Sequence, residues 1–266
     1  MTSATSEQRP VALITGAARR IGRAMALYMA SNGWAVALHY NTSGDEATSL
    51  AQNITNNGGH AVAIQADLAD STAVDNLIPS AMRAFSTNTT NASGAVSCLI
   101  NNASLFERDT LDDITPGLWQ RHMDINLRAP VFLTQSFARH LPDSIEGDVI
   151  NLIDQRVQRL TPLFYSYTLS KAGLWTATRT AAQALAPKIR VNAVAPGSTL
   201  PSSHQSDEHF QRLQESVPLQ HGATVDELCQ AVQFILSSPG MTGQMIILDG
   251  GQHLAWKMPD ILTALE

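Results

Sequence analysis

Short apolar runs alternate along this chain with longer segments in which apolar residues recur at helical spacing. The short runs are almost continuously apolar, which is typical of strands buried on both faces of a parallel sheet. They are Val11–Thr15, Ala35–His39, Ala61–Gln65, Ser97–Ile100, Asp148–Ile153, Arg190–Val194 and Gln244–Leu248. The helical segments include Arg20–Ser31, Glu46–Asn56, Ala73–Phe85, Leu118–His140, Tyr165–Ala186 and Thr224–Leu236. This alternation predicts a doubly wound α/β fold, with a seven-stranded parallel sheet flanked by helices.

The chain shows no internal repeat and no composition break that would divide it into two domains. We therefore expect one domain over residues 10–266, preceded by a disordered tail over residues 1–9. Thr87–Ala95 is polar and is expected to form a surface loop ahead of the fourth strand. The polar segment 198–216 follows a Pro-Gly pair and is predicted to be a mobile substrate lid.

The chain has 266 residues, 44% of them hydrophobic and 15% charged, which is enough to bury a large core. Its net charge of −6 argues against nucleic acid or an anionic membrane as the main partner. No segment reaches the roughly 18 apolar residues of a membrane helix, and the polar start lacks a signal-peptide pattern. Cys98 and Cys229 are interpreted as buried free thiols, with a structural disulfide as the alternative. We expect a cytoplasmic protein without a metal site.

The first strand runs into a glycine-bearing turn, and a helix follows it. Backbone N–H groups at such a helix start, together with the helix dipole, form a phosphate site. The expected contacts come from Gly16, Arg19, Arg20, Ile21 and Gly22. Many turns of this shape have a third glycine where Arg20 stands, and the two guanidinium groups can compensate by pairing with phosphate. A basic helix start that faces solvent is the alternative.

The residues that end the second strand indicate which nicotinamide cofactor is used. An NAD-selective site places an acidic residue here to hold the ribose 2′-hydroxyl, and none precedes Asp45. The neutral polar residues His39, Tyr40, Asn41 and Ser43, with the nearby arginines, instead suit a 2′-phosphate. We therefore predict NADPH rather than NADH as the cofactor.

Two further strands end in residues that are expected to contact the cofactor, because ligands bind at the carboxyl edge of such a sheet. After the third strand, Asp67 can accept from the adenine amino group, and Leu68 follows it. A helix cap is the alternative role for Asp67, although Asp70 is better placed for it. Small and amide side chains after the fourth strand also let the backbone approach a ligand. They belong to Asn102, Ala103 and Ser104.

Tyr167 and Lys171 stand four residues apart, so a phenol and an ammonium share one helix face. A nearby ammonium favours the phenolate, and Lys171 is predicted to lower the pKa of the phenol for proton delivery. Asp154 stands thirteen residues before the tyrosine and is assigned to the same site. A solvated helix face is the alternative for the pair. A capping role, or an ion pair with Arg156 or Arg159, is the alternative for Asp154.

Two other residues are candidates for the site. Asn126 falls inside a long helical segment, where Asn is a poor helix former. A buried amide or a bound water linked to Lys171 explains it, and a satisfied structural Asn is the alternative. Phe106 is interpreted as a stacking surface for a flat aromatic ligand rather than as ordinary core.

These motifs occur in the order found in the short-chain dehydrogenase/reductases, and the chain resembles that superfamily over about residues 10–255. The matching segments are Thr15–Gly22, Asn101–Ser104, Asn126, Tyr167 with Lys171, Arg190–Asn192, Pro196 with Gly197, and Leu248–Gly251. The resemblance implies a single-domain Rossmann fold and an NADP-dependent oxidoreductase. It also implies cofactor contacts at Pro196, Gly197 and Ser198, and a homotetramer joined through the two long helices and the C-terminal part of the chain.

Within that superfamily the chain looks like the pteridine reductases and the bacterial dihydromonapterin reductases. The features that carry this narrower resemblance are Arg19 with Arg20, Leu38–Tyr40, Phe106 after Asn101–Ser104, and Asp154. Carbonyl-reducing relatives have a serine in place of Asp154, which donates to an oxygen that becomes negative. An ionised aspartate only accepts and would repel that charge. Asp154 therefore suits a ring C=N whose nitrogen must be protonated.

The predicted function is NADPH-dependent reduction of dihydropterins or dihydrofolate. Asp154, Tyr167, Lys171 and Asn126 are the predicted catalytic residues, and Lys171 is also expected to hold the nicotinamide ribose. The predicted substrate contacts are Arg20, Ser104, Phe106, Asp154 and Tyr167. Two alternatives stay open: a carbonyl-reducing member acting on a ketone, sugar or acyl thioester, and a nucleotide-sensing protein without catalysis.

Overall fold

The computed structural model describes residues 9–86, 92–201 and 206–254. In these residues seven strands form one sheet in the order β3-β2-β1-β4-β5-β6-β7, and all neighbouring strands are parallel. The strands are β1 Arg9–Ile14, β2 Ala35–Tyr40, β3 His60–Gln65, β4 Ala92–Asn101, β5 Gly147–Leu152, β6 Ile189–Pro196 and β7 Met245–Leu248. The predicted doubly wound, seven-stranded parallel sheet is confirmed.

The helices are α1 Arg20–Ser31, α2 Gly44–Asn56, α3 Ser71–Phe85, α4 Pro116–Met123, α5 Ala129–His140, α6 Tyr165–Leu185, α7 Asp207–Glu215 and α8 Val225–Leu236. Apart from α7, which lies in the predicted lid, the helices lie close to their predicted positions. The segment predicted as one helix, Leu118–His140, contains a π-helical turn over Asp124–Arg128. Such turns are often found at functional sites, and this one carries Asn126.

The core has two layers, one on each face of the sheet. Neighbouring residues of a strand point to opposite faces, so Leu13 joins one layer and Ile14 the other. Leu99 and Ile100 divide in the same way between the layer of α3 and α5 and the layer of α1 and α8. Burying each such side chain contributes roughly 1.5–3 kcal/mol, so both layers hold the sheet rigid beneath its carboxyl edge.

Strand β4 begins earlier than predicted. It starts at Ala92 instead of Ser97, and its pairing with β1 shifts register between Arg9 and Ala12. Gly94, within the irregular part, has φ +71°, which a glycine adopts without strain. The predicted Thr87–Ala95 loop is therefore partly strand, and residues 87–91 lie outside the described residues. Residues 1–8 of the predicted tail also lie outside them.

The predicted lid contains a helix. Helix α7 has no buried residue, so it lies on the surface of the molecule. Residues 202–205 of the lid lie outside the described residues, and closure over a site stays a prediction. Cys98 and Cys229 are buried free thiols, as predicted. In the part of the chain that the structure describes, no helix has both the length and the apolarity needed to cross a bilayer.

The strand order reverses at β1, because β2 and β4 flank it on opposite sides. Chain connections leave the sheet in opposite directions there, which opens a crevice at the carboxyl ends of β1 and β4. This crevice is where the sequence places the phosphate turn and the segment Asn102–Ser104.

Candidate active site

The ends of β1 and β4 are tied together by hydrogen bonds around Thr15. Its Oγ1 accepts from the backbone N–H groups of Asn102 at 2.9 Å and Ala103 at 3.0 Å. The Asn102 amide donates to the carbonyl of Thr15 at 2.8 Å and to that of Gly16 at 3.2 Å. Asn102 and Ala103 therefore fix the turn to the end of β4 beside the cleft, which agrees with their predicted place at the sheet edge.

The start of α1 has the features of an anion site. Arg19 occupies the N-cap position without a side-chain capping hydrogen bond, so it leaves the first helical N–H groups uncapped. A side chain at Gly22 would collide with the carbonyl of Gly16 and would lie 2.6 Å from the Asn102 amide nitrogen. Gly16 has φ +63°, where a side chain would be strained. These residues fit a dinucleotide pyrophosphate held against backbone.

Arg20 is strained in the turn. Its φ is +53°, in the left-handed region, at the position where related turns have glycine. This conformation costs a non-glycine residue roughly 1–2 kcal/mol. The side chain reaches across the cleft, with Nη2 3.4 Å from the carbonyl oxygen of Leu200. Strain of this kind persists at sites where the side chain has a use.

The structure corrects the expectation that His39 contacts a 2′-phosphate. Its Nδ1 accepts from the Gly16 N–H at 3.0 Å, so Nε2 carries the proton and donates to the Ala66 carbonyl at 3.1 Å. Burial lowers the pKa of His39 to about 4. Both nitrogens of the neutral ring are used in these hydrogen bonds, so His39 stabilises the backbone of the phosphate turn.

Arg19 has a partner that the sequence did not reveal. Its guanidinium forms an ion pair with Glu46, in the first turn of α2, and both side chains are exposed. The Glu46 carboxylate therefore neutralises part of the positive charge of Arg19, which was predicted to bind phosphate. Ser43, at the N-cap position of α2, makes no capping hydrogen bond with its side chain.

Beside the turn lies a cleft with a cavity volume of about 410 Å³. The predicted cofactor residues that line it are Gly16, Arg19, Arg20, Ile21, Gly22, His39, Asn41, Asp67, Leu68, Asn102, Ala103 and Ser104. Leu105 and Ile125 also line it and were not predicted. The predicted contacts outside this lining are Tyr40, Ser43, Lys171, Pro196, Gly197 and Ser198. Asp70 caps α3 through the Thr72 N–H at 2.8 Å, so Asp67 is not the cap of that helix.

Tyr167 and Asp154 meet at the carboxyl end of β5. The phenol donates to Asp154 Oδ2 at 2.8 Å, and Asp154 Oδ1 accepts from the Arg156 N–H at 2.8 Å. Tyr167 lies in the first turn of α6 and is only 4% exposed, which excludes a solvated helix face for the phenol. Asp154 does cap the short 3₁₀ turn Gln155–Val157, and its second oxygen remains for the phenol.

The pKa shifts differ from the predicted pattern. Burial, followed by the facing Asp154 carboxylate, raises the pKa of Tyr167 far above its usual range. Burial also raises the pKa of Asp154, against the backbone N–H and charge of Arg156. The expectation that the pKa of the phenol is lowered is not met, because burial and the carboxylate outweigh the lowering effects of Arg156 and Ser104. The phenol therefore stays protonated and acts as a donor.

Lys171 is buried one helical turn beyond the tyrosine. Its Nζ donates to the Leu152 carbonyl at 2.7 Å and lies 5.9 Å from the centre of the Tyr167 ring. Burial lowers the pKa of Lys171 to about 8, with Asp154 opposing the shift. An ammonium near its pKa at neutral pH can hold a hydroxyl-bearing ligand and exchange a proton.

Asn126 joins the cleft to α6. Its Oδ1 accepts from the Leu105 N–H at 2.8 Å and from the Ser104 hydroxyl at 3.3 Å. Its amide donates to the Leu105 carbonyl at 2.9 Å and to Ser170 Oγ at 3.1 Å. The side chain is fully satisfied without contacting Lys171, which agrees with the alternative of a structural Asn.

Phe106 is 37% exposed beside the phenol and is not a core residue. Its ring stacks on Phe164 with centroids 4.3 Å apart and planes 6° apart, and its centroid lies 4.8 Å from that of Tyr167. The Arg156 guanidinium lies 4.6 Å from the centre of the Phe164 ring. The stacking prediction for Phe106 did not include Phe164 or Arg156. In the described residues, no group of three or more His, Cys, Asp or Glu side chains can hold a metal ion.

Comparison with known proteins gives the family and two kinds of relative. A family model described as short chain dehydrogenase matches residues 10–212. FolM alternative dihydrofolate reductase 1 from Brucella canis, complexed with NADP, is 46% identical with a TM-score of 0.90, over 97% of this chain and 100% of that chain. Angucycline C-6 ketoreductase LanV with bound NADP is 31% identical with a TM-score of 0.85, over 94% and 98%. The 3-oxoacyl-[acyl-carrier-protein] reductase of Synechocystis sp. is 31% identical, over 94% of this chain and 98% of that protein.

Proposed function

This chain belongs to the short-chain dehydrogenase family, and we propose that it is an NADPH-dependent reductase of dihydropterins or dihydrofolate. The observation that carries the proposal is the 2.8 Å hydrogen bond from Tyr167 to Asp154. A carboxylate beside the proton donor suits a substrate nitrogen that gains a proton, and it opposes a developing alkoxide. The 46% identity to a structure named alternative dihydrofolate reductase supports the same substrate class.

The oxidoreductase uses NADP(H). The uncapped start of α1, Gly16 and Gly22 suit its pyrophosphate, and Arg19 with Ser43 suits its 2′-phosphate. When bound, the reduced nicotinamide supplies the hydride that adds to the carbon of the ring C=N. We assign the nicotinamide end of the site to Pro196, Gly197 and Ser198, beyond the cleft.

The proton reaches the ring nitrogen from Tyr167. The raised pKa of the phenol keeps it protonated at neutral pH, so it arrives at the substrate as a donor. Asp154 accepts from the phenol in the resting site and orients its oxygen. Because burial also raises the pKa of Asp154, its carboxyl can take a proton from water and return it to Tyr167 after turnover.

Lys171 and Asn126 support this transfer in different ways. The Lys171 ammonium holds the cofactor ribose, and its contact with the Leu152 carbonyl fixes its direction. Asn126 fixes the segment Ser104–Leu105 against Ser170, one residue before the lysine. These bonds therefore fix the distance between the cleft wall at Ser104–Leu105 and the helix that carries the proton donor, Tyr167.

The substrate ring stacks on the exposed Phe106, opposite the nicotinamide. Its edge meets Ser104 and the strained Arg20, which both line the cleft. A flat aromatic ring gains about 0.5–1.5 kcal/mol from such stacking beyond the burial of its area.

A carbonyl reductase is the second candidate, because the 3-oxoacyl-[acyl-carrier-protein] reductase and the C-6 ketoreductase are both relatives. The deciding experiment follows NADPH and NADH consumption with dihydrobiopterin, dihydromonapterin, dihydrofolate and a ketone. Our proposal expects kcat/KM for at least one dihydro compound to exceed that for the ketone about 100-fold or more. A ketone preferred over all three reduced heterocycles would select the second candidate.

We further propose a cytoplasmic homotetramer joined through α4, α5 and α6. Exposed apolar side chains on these helices support it, namely Val131 and Phe132 on α5 and Leu169 on α6. The expected contribution of the C-terminal part concerns residues 255–266, which lie outside the described residues. Sedimentation of the purified protein tests the assembly.

A further inference from the structure

A second polar network lies behind the phenol and has no part in the chemistry above. Asp109, Ser166 and His122 are 1%, 0% and 0% exposed. Ser166 Oγ makes a short hydrogen bond to Asp109 Oδ2, and His122 Nδ1 lies 2.6 Å from the same Oγ. The Glu107 N–H points at His122 Nε2 at 3.4 Å. The network runs from the loop after β4, through α4, to the first turn of α6.

Only one arrangement of hydrogens satisfies every member. The carboxylate of Asp109 can only accept, so the Ser166 hydroxyl donates to it. The hydroxyl oxygen then accepts from His122 Nδ1–H, which leaves Nε2 unprotonated to accept from the Glu107 N–H. Burial lowers the pKa of His122, so the neutral ring that this arrangement requires is the form favoured. The hydrogen bonds therefore all run in one direction, from the Glu107 N–H through His122 and Ser166 to the Asp109 carboxylate.

The arrangement cannot serve nucleophilic catalysis. In a hydrolase the histidine accepts the serine proton, whereas here the serine hydroxyl gives its proton to the carboxylate. All three side chains are also closed off from solvent. A fully satisfied buried network of this kind rigidifies and orients the segments it joins.

The two ends of the network stand next to two residues of the site. At one end, the Ser166 N–H donates to Asp109 Oδ1 at 3.2 Å and the Tyr165 N–H donates to the Asp109 carbonyl at 3.3 Å. These bonds fix the backbone that enters Tyr167. At the other end, Glu107 follows Phe106 directly, and the His122 ring lies 6.0 Å from the Tyr167 ring.

We propose that Asp109, Ser166 and His122 are positioning residues that set the phenol of Tyr167 at one end and the stacking ring of Phe106 at the other. The proposal rests on the proposed function only in the choice of substrate. It predicts separable effects, because cutting the network near Ser166 displaces the proton donor and cutting it near Glu107 displaces the stacking surface.

The test compares Ser166→Ala with His122→Asn in the full-length protein. Ser166→Ala removes the hydroxyl, and because a displacement near 1 Å at the reacting group costs about 100-fold, we expect kcat to fall about 10–100-fold. His122→Asn keeps a donor near the Nδ1 position and loses the Nε2 acceptor. We expect it to raise the substrate KM about tenfold with kcat nearly unchanged. Both variants should keep the Kd of NADPH within about twofold of the wild type.

The matched control is Ser136→Ala, which removes another buried hydroxyl that lies near a histidine, His140, on α5 away from the site. It should leave kcat and KM unchanged at a similar cost in Tm. If Ser166→Ala does not fold, Asp109→Asn, which keeps a carbonyl acceptor for the hydroxyl, takes its place. Kinetics use whichever dihydropterin or ketone the wild type reduces, so failure of the substrate assignment leaves this test intact.

A crystal structure of Ser166→Ala gives a readout that needs no substrate. We expect the distance between Tyr167 Oη and Asp154 Oδ2 to lengthen from 2.8 Å and the Phe106 ring to keep its place. Unchanged positions of both rings, or a loss of Tm with kcat and substrate KM both unaltered, would overturn the proposal. Equal losses in kcat and NADPH affinity would assign the network to general stability and overturn it as well.

Discussion

Tyr167 gives its phenolic hydrogen to Asp154, with Oη and Oδ2 2.8 Å apart in a site where the phenol is almost fully buried. Burial raises the pKa of both groups, because it disfavours both anions, and the Asp154 carboxylate raises the pKa of Tyr167 further. The phenol therefore keeps its proton at neutral pH, beside a carboxylate that accepts its hydrogen bond. A site arranged in this way delivers a proton, and its electrostatics oppose a developing negative charge.

Removal of the phenolic oxygen should stop turnover without emptying the cofactor site. For Tyr167→Phe we expect kcat with a dihydropterin to fall about 100- to 10,000-fold, the usual contribution of a positioned general acid. The Kd of NADPH, measured by fluorescence titration, should stay within about twofold, because the phosphate turn is untouched. Unchanged turnover would remove Tyr167 from the mechanism.

The pH dependence of kcat/KM should follow the titration of the Lys171 ammonium. Its pKa is lowered to about 8, so the ammonium is present below that pH and is lost as the pH rises through it. The phenol does not titrate in this range, because its pKa is raised. We therefore expect kcat/KM for the dihydropterin to fall about tenfold per pH unit above pH 8.

The variant Lys171→Arg tests whether Lys171 is the group whose titration causes this fall. A guanidinium remains charged beyond pH 12, so the alkaline fall should disappear below about pH 10 even though the absolute rate is lower. A fall that stays near pH 8 in the variant would assign the titration to a different group.

The strain at Arg20 should be measurable as lost stability. Arg20→Gly relieves a left-handed conformation at φ +53°, and we expect a gain of about 1 kcal/mol, or roughly 2–4 °C in Tm. The same change removes the guanidinium, so the KM for pterin or NADPH should rise about tenfold.

Gln220→Gly is the matched control for Arg20→Gly. Gln220 is exposed and has φ +59°, so it carries the same backbone strain away from the phosphate turn. We expect a similar rise in Tm with both KM values unchanged. If both variants lose affinity equally, the effect belongs to the backbone and not to the Arg20 side chain.

The ion pair between Arg19 and Glu46 should tune the choice of cofactor. Arg19→Ala removes a cation near the expected 2′-phosphate, and we expect the ratio of kcat/KM for NADPH over NADH to fall about tenfold or more. Glu46→Ala frees the guanidinium and should raise that ratio. Steady-state kinetics with both cofactors measure the two ratios, and a rise with Arg19→Ala would contradict the assignment.

The fold followed from local patterns because strands such as β1, β2 and β5 are short, largely apolar and almost fully buried. Helix α1 was predicted with its observed ends, since Arg20 begins it and Ser31 completes its last turn. Helix α4 with α5 was predicted as continuous, because a π turn has no periodicity signal of its own. The early start of β4 was missed because Gly94 and its polar neighbours look like a loop.

The sequence predicted which residues lie at the site where the residue type and its position at the end of a strand were enough to indicate it. Asp154 and Tyr167 do come together, and all five predicted phosphate-turn residues line one cleft. Side-chain partners were not predictable: the pairing of Arg19 with Glu46 depends on how α2 packs beside the turn. The neutral state of His39 depends on burial, which outweighs the opposing hydrogen bond to a carbonyl 27 residues away.

The most direct test of the central claim compares wild type with Asp154→Ser on two substrates. The quantity measured is kcat/KM for a dihydropterin divided by kcat/KM for a ketone, with NADPH saturating. A serine hydroxyl donates to a developing alkoxide, whereas the carboxylate of Asp154 favours protonation of a ring nitrogen.

Asp154→Asn is the control for that comparison, because it keeps the shape and removes the acid. We predict that the pterin-to-ketone ratio falls about 100-fold or more in Asp154→Ser, by loss on the pterin and gain on the ketone. In Asp154→Asn the pterin rate should fall without a gain on the ketone. An unchanged ratio in Asp154→Ser would contradict the account, because the carboxylate would then have no part in selecting the protonated atom.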